Sequence, residues 1–395
     1  MSTTTVPRIP IVRPSLGEEE IAAVTRVIRS GWVSQGPEVA AFETDFAAAV
    51  GAPHAVAVAN CTVAMQVALQ AVGVKPGDDV ATVSHSFVAT ANAVVNVGAR
   101  PVFVDVRRET LGMDPDLLEA ALTPRMRAIL CVHQIGIPCD LARIHEIAAR
   151  HGLPLIEDAA CAIGSEVLWQ GRWERIGRPH GVIACFSFHP RKVVTTGDGG
   201  MLTTADEALA RRFRLLRQHA MTVSDTVRHH SAAVIFEDYL EPAFNYRMTD
   251  LQAAVGRPQL ARLDAIVAER RQLAERYREA LSGHAVLSAP AEEAWWRSNW
   301  QSYPVFLRED SGVSQVDVLQ QLMDAGISCK RGVSNAHQEP AYADRTLWTS
   351  GPLAVSEWLR DNTILLPLFH GMTREEQDRV IEACRRVAGG AGRKA

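Results

Sequence analysis

The sequence predicts an α/β protein: a large domain built on a mainly parallel sheet flanked by helices, followed by a smaller α+β domain. Three observations predict it. Short apolar runs alternate with amphipathic stretches from about Ala55 to Asp158. Those runs are continuously apolar, as strands buried on both faces are, rather than alternating as half-exposed strands do. After Asp250 the rhythm changes to one long helical pattern and then to short mixed segments.

Taken in order, a first helix reads from Gly17 to Ser30, with Glu18, Glu19 and Glu20 placed to complement its N-terminal dipole. A second runs from Pro37 to Val50. Strands are then expected at Ala55–Ala59, Asp79–Val83, Pro101–Val106, Ala128–Val132 and Leu153–Glu157. Helices at Val63–Val72, Phe87–Val97, Asp114–Leu122 and Leu141–His151 connect them. A further apolar strand covers Val182–Phe188. In such a sheet ligands bind beyond the carboxyl ends of the strands, where Asn60, Ser84–Phe87, His133, Asp158 and Lys192 all fall. Beyond Asp250, Leu251–Leu281 reads as a long helix with a possible kink near Pro258. Segments 299–307, 316–325, 326–330, 353–361 and 363–368 and a last helix over 373–387 make up the smaller domain. The division is therefore 1–250 and 251–395, with the N-terminal segment free to pack on the smaller domain and a Gly-rich tail expected to be disordered.

Composition narrows the function. A chain of 395 residues with 47% hydrophobic residues can build a large core in two domains. A net charge of -4 and the lack of a basic run, apart from the solvated helix face Arg211–Arg214, argue against a nucleic-acid partner. No apolar stretch is long enough to span a bilayer, and Met1–Thr5 lacks the basic and apolar regions of a signal peptide. Seven cysteines, odd in number, without zinc-type clustering and several of them inside apolar strands, fit a reduced, cytoplasmic protein with no metal site.

The chemistry concentrates at Phe186-Ser187-Phe188-His189-Pro190-Arg191-Lys192 and the following Thr195-Thr196-Gly197-Asp198-Gly199-Gly200. One lysine stands between an apolar strand and a glycine-rich turn. Upstream, Leu155-Ile156-Glu157-Asp158 is a second strand ending in acid. A lysine at one strand end and an acid at a neighbouring one suit pyridoxal phosphate: the amine forms a Schiff base, and the carboxylate keeps the pyridine nitrogen protonated. Strand alternation points Glu157 and Asp158 to opposite sides, and Asp158 is the one assigned to the pyridinium.

These residues resemble the DegT/DnrJ/StrS family of fold-type-I pyridoxal-phosphate aminotransferases. The likeness runs from about Ile9 to Ala388 through Ser30–Pro37, Asn60–Thr62, Phe87–Val94, Pro101–Val106, Glu157–Ala160, the Lys192 block and Asn245–Asp250. It implies a seven-stranded, mainly parallel sheet and transfer of an amino group, from glutamate or glutamine, to a keto-sugar or keto-cyclitol, usually nucleotide-linked. Lys192 is then the catalytic residue, anchoring the cofactor and shuttling the proton, with ping-pong kinetics. Thr62 and the amide of Val63, where a strand gives way to a helix, and Ser187 become the phosphate ligands. Phe87 matches the aromatic residue stacked on the cofactor ring, its plain alternative being a core phenylalanine. Asn245 matches an asparagine that reaches the neighbouring subunit's phosphate, which makes the expected assembly a homodimer with shared sites. His337 and Tyr342 fall where relatives contact the sugar or its carrier. Further pocket candidates are His133-Gln134, Arg217-Gln218-His219, Lys330-Arg331 and Asn335. Trp295, Trp296 and Trp300 would either stack on a base or pack between domains.

One departure stands out. The family commonly carries Gln or His three residues after the pyridinium aspartate, and this chain has Cys161, a weak donor. His189 reads as a structural residue of the turn. Two rival functions remain. A sugar dehydratase of the same family would carry histidine in place of Lys192, and a non-catalytic, cofactor-bound regulator would show no turnover.

Overall fold

The computed structural model describes residues 7–223 and 225–387; the expectations for Met1–Thr5 and for the Gly-rich tail lie outside them. The main sheet runs, edge to edge, His54–Val58, Gly200–Thr204, Ile183–Ser187, Leu155–Asp158, Met126–Val132, Asp79–Val83, Arg100–Val104 and Thr349–Ser350. Only Gly200–Thr204 opposes its two neighbours; every other adjacent pair is parallel. Seven of the eight strands lie before residue 205, and the two-residue Thr349–Ser350 adds an outer edge from much later in the chain.

The strands are buried because they are apolar on both faces. Helices Cys61–Ala71, Ala89–Asn96 and Glu207–Leu216 cover one face, through Val56, Val58, Ala64, Leu69, Leu130, Ile156, Leu202 and Phe213. The other face packs on helix Pro37–Val50 and its neighbours through Phe42, Phe46, Ala57, Ile129, Phe186 and Phe188. Helix Pro37–Val50 keeps its expected limits because proline opens it and Gly51, at φ 75°, closes it in the left-handed conformation.

A second sheet, antiparallel throughout, orders Leu287–Ser288, Tyr303–Leu307, Thr363–Leu366 and Lys330–Arg331. Of the expected segment 326–330, only Lys330 lies in a strand, the two-residue Lys330–Arg331. The N-terminal segment reaches this region: Ile9 exchanges backbone hydrogen bonds with Gly326 and Ser328, and Arg13 pairs with Glu376. A hairpin not expected from the sequence, Glu166–Trp169 with Arg172–Arg175, turns at Gln170 and Gly171, both with positive φ, as a two-residue hairpin requires. The expected long helix is two, Asp250–Ala261 and Leu263–Ala280; Pro258 lies inside the first, and the break comes at Arg262.

Candidate functional site

The site forms where the parallel strands end. Strand Leu155–Asp158 carries Glu157 and Asp158 to opposite sides, both buried. Glu157 accepts hydrogen bonds from His133 Nε2 at 3.0 Å and from the Gly181 amide at 2.9 Å. His133 Nδ1 accepts the Cys139 amide at 3.2 Å, so the imidazole proton sits on Nε2 and is donated to Glu157. Burial pushes the Glu157 carboxyl up, but the His133 bond leads the interactions that more than offset it, and its pKa ends below the usual carboxylate value.

Asp158 is the opposite case. It accepts from Thr90 Oγ1 at 2.7 Å and from the Ala160 amide at 3.1 Å. Burial dominates and raises its pKa; Thr90, Ala160 and the charge of Lys192 pull it only part of the way back. Thr90 is itself bonded to Ser86 Oγ at 2.8 Å. Thr90 was missed in the sequence, although it lies inside the Phe87–Val94 landmark.

Lys192 follows a turn that His189 organises: its amide donates to the His189 carbonyl at 2.8 Å, and His189 Nδ1 accepts the Arg191 amide at 3.2 Å. Lys192 Nζ donates to Cys161 Sγ at 3.0 Å. Burial alone would lower the lysine pKa, but Cys161, Cys61 and Asp158 facing the amine raise it. The loop bearing Cys161 is fastened by the buried Asn299, whose Nδ2 donates to the carbonyls of Cys161 and Ile163, each at 2.8 Å. Asn299 gave no signal in the sequence beyond its place in a mixed segment.

The glycine-rich block brings a third segment in. A Cβ on Gly200 would lie 2.5 Å from the Asn60 carbonyl carbon and 2.8 Å from the Cys61 nitrogen, so only glycine permits this approach. Ser187 pairs with Gly200 in the sheet, and Gly200 pairs with Val58, which sets Ser187 near the start of helix Cys61–Ala71. The helix cap is Asn60, whose Oδ1 accepts the Val63 amide at 3.0 Å. The Val63 amide, expected among the phosphate ligands, thus has a partner within the chain, and a capped helix start can still receive a phosphate. The Thr62 hydroxyl has no hydrogen-bond partner among the described residues, and Ser187 Oγ holds only a 3.5 Å contact with the His189 amide.

Phe87 is 73% exposed, in the turn leading to Thr90, which rules out the core-phenylalanine reading. Asn245 is exposed, its Oδ1 accepting Arg247 Nε at 3.0 Å, while the next residue's carbonyl accepts the Ala59 amide at 2.8 Å. Asn245 thus stands at the surface beside the segment entering Asn60.

Several pocket expectations fail because the groups are already engaged. Arg217 is buried, paired with Glu43 and bonded to the Ala57 carbonyl. His133 and Gln134 are enclosed, and Gln134 Nε2 donates to the His85 carbonyl. Tyr342 is 3% exposed with its hydroxyl donated to Asn92 at 2.8 Å, so it offers no open face to a ligand. Asn335 is buried between His85 and the Ser356 carbonyl. His337 is half-buried, its Nδ1 2.6 Å from Ser84 Oγ and its Nε2 3.3 Å from Glu357. Trp296 and Trp300 are buried against one another and Tyr303, the packing role. Lys330 and Arg331 do lie near the lysine loop: burial, then Arg191 and Arg331, lower the Lys330 pKa.

The spacing of the cysteines hid one cluster. Cys131, His133 and Cys139, all buried, bring their possible ligand atoms within 4.8 Å of one another. With both His133 nitrogens committed, to Glu157 and to the Cys139 amide, the trio reads as a packed support for the strand end. A cavity of about 320 Å³ among Arg271, Glu275, Arg278, Trp300 and Tyr303 contains neither Lys192 nor Asp158.

The residues fit pyridoxal phosphate. A buried carboxylate whose nearby cation is a lysine amine, small hydroxyls at or near a helix start and an exposed ring on the turn leading to Thr90 match the cofactor's pyridine nitrogen, aldehyde, phosphate and face.

Residues 14–385 match the DegT/DnrJ/EryC1/StrS aminotransferase family. The chain is 38% identical over 387 residues to the spore coat polysaccharide biosynthesis protein SpsC of Bacillus subtilis, covering 97% of this chain and 98% of SpsC. Among solved structures it is similar to the aminotransferase TlmJ of Streptoalloteichus hindustanus, with TM-score 0.86, 34% identity and 95% and 98% coverage of the two chains. It is equally similar to DesV of S. venezuelae, solved in complex with a ketimine intermediate, with TM-score 0.86, 34% identity and 96% and 98% coverage. The chain belongs to the DegT/DnrJ/EryC1/StrS aminotransferase family, a family of sugar aminotransferases, and is a pyridoxal-phosphate-dependent aminotransferase of fold type I.

Proposed function

We propose that this enzyme moves an amino group from glutamate or glutamine to a keto-sugar or keto-cyclitol, nucleotide-linked in the physiological substrate, in two alternating half-reactions. The observation that carries the reading is a buried Asp158, only partly compensated by Thr90 and the Ala160 amide, within electrostatic reach of the Lys192 amine. When bound, the cofactor supplies an electron sink and holds the amino group between the two halves. Lys192 would anchor it through Nζ and, once that amine is released, Nζ would take and return the proton in each half-reaction. Asp158, steadied by Thr90, holds the ring nitrogen's proton. Thr62 and Ser187 bind phosphate with their hydroxyls, and Phe87 covers the ring. His337 contacts the sugar. The basic group of Arg191, Lys330 and Arg331 supports an anionic carrier such as a nucleoside diphosphate. Lys192 in place of histidine argues against the dehydratase reading.

A homodimer completes the site in this proposal. Val234, Phe236, Tyr239, Leu240 and Phe244 are exposed just before Asn245, Phe236 by 88%, and such an apolar run calls for cover. Asn245 of the partner subunit then serves the phosphate. Residues 1–250 and 251–395 act as large and small domains, in keeping with the change from a mainly parallel to an antiparallel sheet. Seven free cysteines support a cytoplasmic setting, and among the described residues no helix is long and apolar enough to cross a membrane.

Adding glutamate or glutamine to the loaded enzyme should change the cofactor's absorbance, and a nucleotide-linked keto-sugar should restore it. A spectrum unmoved by either donor contradicts the reading.

A further inference from the structure

Cys161 is half-buried rather than sealed, and its sulfur lies 3.0 Å from Lys192 Nζ. Its loop is held by Asn299 through two carbonyls, and the lysine turn is held by His189, so both partners are fixed in place. Peroxides oxidise an accessible cysteine sulfur to the sulfenic acid. An amine at contact distance is then the first nucleophile that an oxidised sulfur meets.

We propose that Cys161 and Lys192 are a redox-sensitive pair, which a peroxide converts to a reversible sulfur–nitrogen bond that withdraws the lysine from cofactor binding. In the first step the Cys161 thiol attacks hydrogen peroxide, the O–O bond breaks, sulfur is oxidised to the sulfenic acid and one water leaves. In the second, Lys192 Nζ attacks that sulfur, the S–O bond breaks, and the hydroxyl leaves with an amine proton as a second water. The sum is one thiol, one amine and one peroxide giving one S–NH bond and two waters. A thiol reductant reverses it by attacking the same sulfur. The bond can form only while the amine is free, so the cofactor-free chain is the vulnerable form and covalently held cofactor protects it. The consequence for activity rests on Lys192 being the cofactor's anchor; the bond itself does not.

The test is mass spectrometry of the full-length chain, stripped of cofactor, treated with hydrogen peroxide and quenched with catalase. The expected product is lighter by two hydrogens, yields a linked peptide pair containing Cys161 and Lys192, and returns to the starting mass with dithiothreitol. It takes up no pyridoxal phosphate until reduced. Lys192→Arg should give no link, and Cys61→Ala should leave the link unchanged. Loading with pyridoxal phosphate before treatment should suppress it. Cys61 is close enough to influence the same groups, and a disulfide between Cys61 and Cys161 would give the same mass. A two-hydrogen loss that survives Lys192→Arg and vanishes in Cys61→Ala overturns the proposal. So does a Cys161 that stays unmodified or gains only oxygen. If the link forms but Lys192→Ala still holds cofactor that borohydride fixes to the chain, the functional reading of Lys192 fails and the pair stands.

Discussion

Glu157 and Asp158 are neighbours at the end of one buried strand and do opposite things. Glu157 faces His133 and the Gly181 amide, which hold it ionised. Asp158 faces Thr90, the Ala160 amide and Lys192, and burial keeps its pKa raised. A buried carboxylate with a complete set of partners is part of the fold. One left short of them stores an unfavourable interaction that a cationic ligand can relieve. In the function proposed above that ligand is the protonated pyridine ring, which would make Glu157 the structural acid and Asp158 the functional one.

Removing the amine that Asp158 faces is the severest way to break the comparison. Lys192→Ala should lower turnover by roughly 10³-fold, within the range for a positioned proton-transfer group, while circular dichroism stays native. Borohydride should then fix no cofactor to the chain. Next, the two acids should separate in steady-state kinetics. Asp158→Asn should cost about 10²-fold in kcat, the scale of a lost electrostatic contact at the reacting centre. Glu157→Gln, measured on the folded fraction, should cost less than about tenfold, since it acts only through the strand's position. A reversed order would reassign the ring's partner to Glu157. The effect expected at Thr90 lies between those of the two acids. Thr90→Val removes one hydrogen bond to a carboxylate, worth about 1.5–3 kcal/mol, so kcat should fall by roughly 10- to 100-fold and Thr90→Ser should recover most of it.

How much of this was legible in the sequence follows the range of the forces involved. The opposite facing of Glu157 and Asp158 was legible because a strand's period of two is local. Helix Pro37–Val50 was legible because its proline and glycine act on their own backbone. Partners were not. Thr90 reaches Asp158 across 68 residues, and Asn299 reaches Cys161 across 138. Asp250, a landmark of unknown purpose in the sequence, accepts the amides of Gly36, Glu38 and Val39 and so caps a helix more than 200 residues away. The failed pocket residues Arg217, Gln134 and Tyr342 fail for the same reason: a polar side chain looks available until the fold supplies its partner. Hairpin Glu166–Arg175 escaped notice because its two four-residue strands show no apolar–polar alternation: Glu166–Trp169 is mostly apolar and Arg172–Arg175 mostly charged.

The most direct measurement is urea denaturation of the cofactor-free chain, wild type against Glu157→Gln and Asp158→Asn, across pH 5 to 8. A carboxyl whose folded pKa is lowered adds stability above its unfolded pKa and loses it as pH falls through the folded value. Glu157→Gln should therefore be less stable than wild type by a deficit that stays nearly constant from pH 5 to 8, because the carboxyl titrates below that range in both the folded and the unfolded chain. A carboxyl whose folded pKa is raised costs stability once pH rises through that value. Asp158→Asn should therefore be as stable as wild type or more so at pH 8, by about 1.4 kcal/mol for every tenfold by which folding tightens proton binding at Asp158, with the advantage shrinking toward pH 5. Equal losses in both variants, or a larger loss in Asp158→Asn at pH 8, would contradict the division of labour between the two acids.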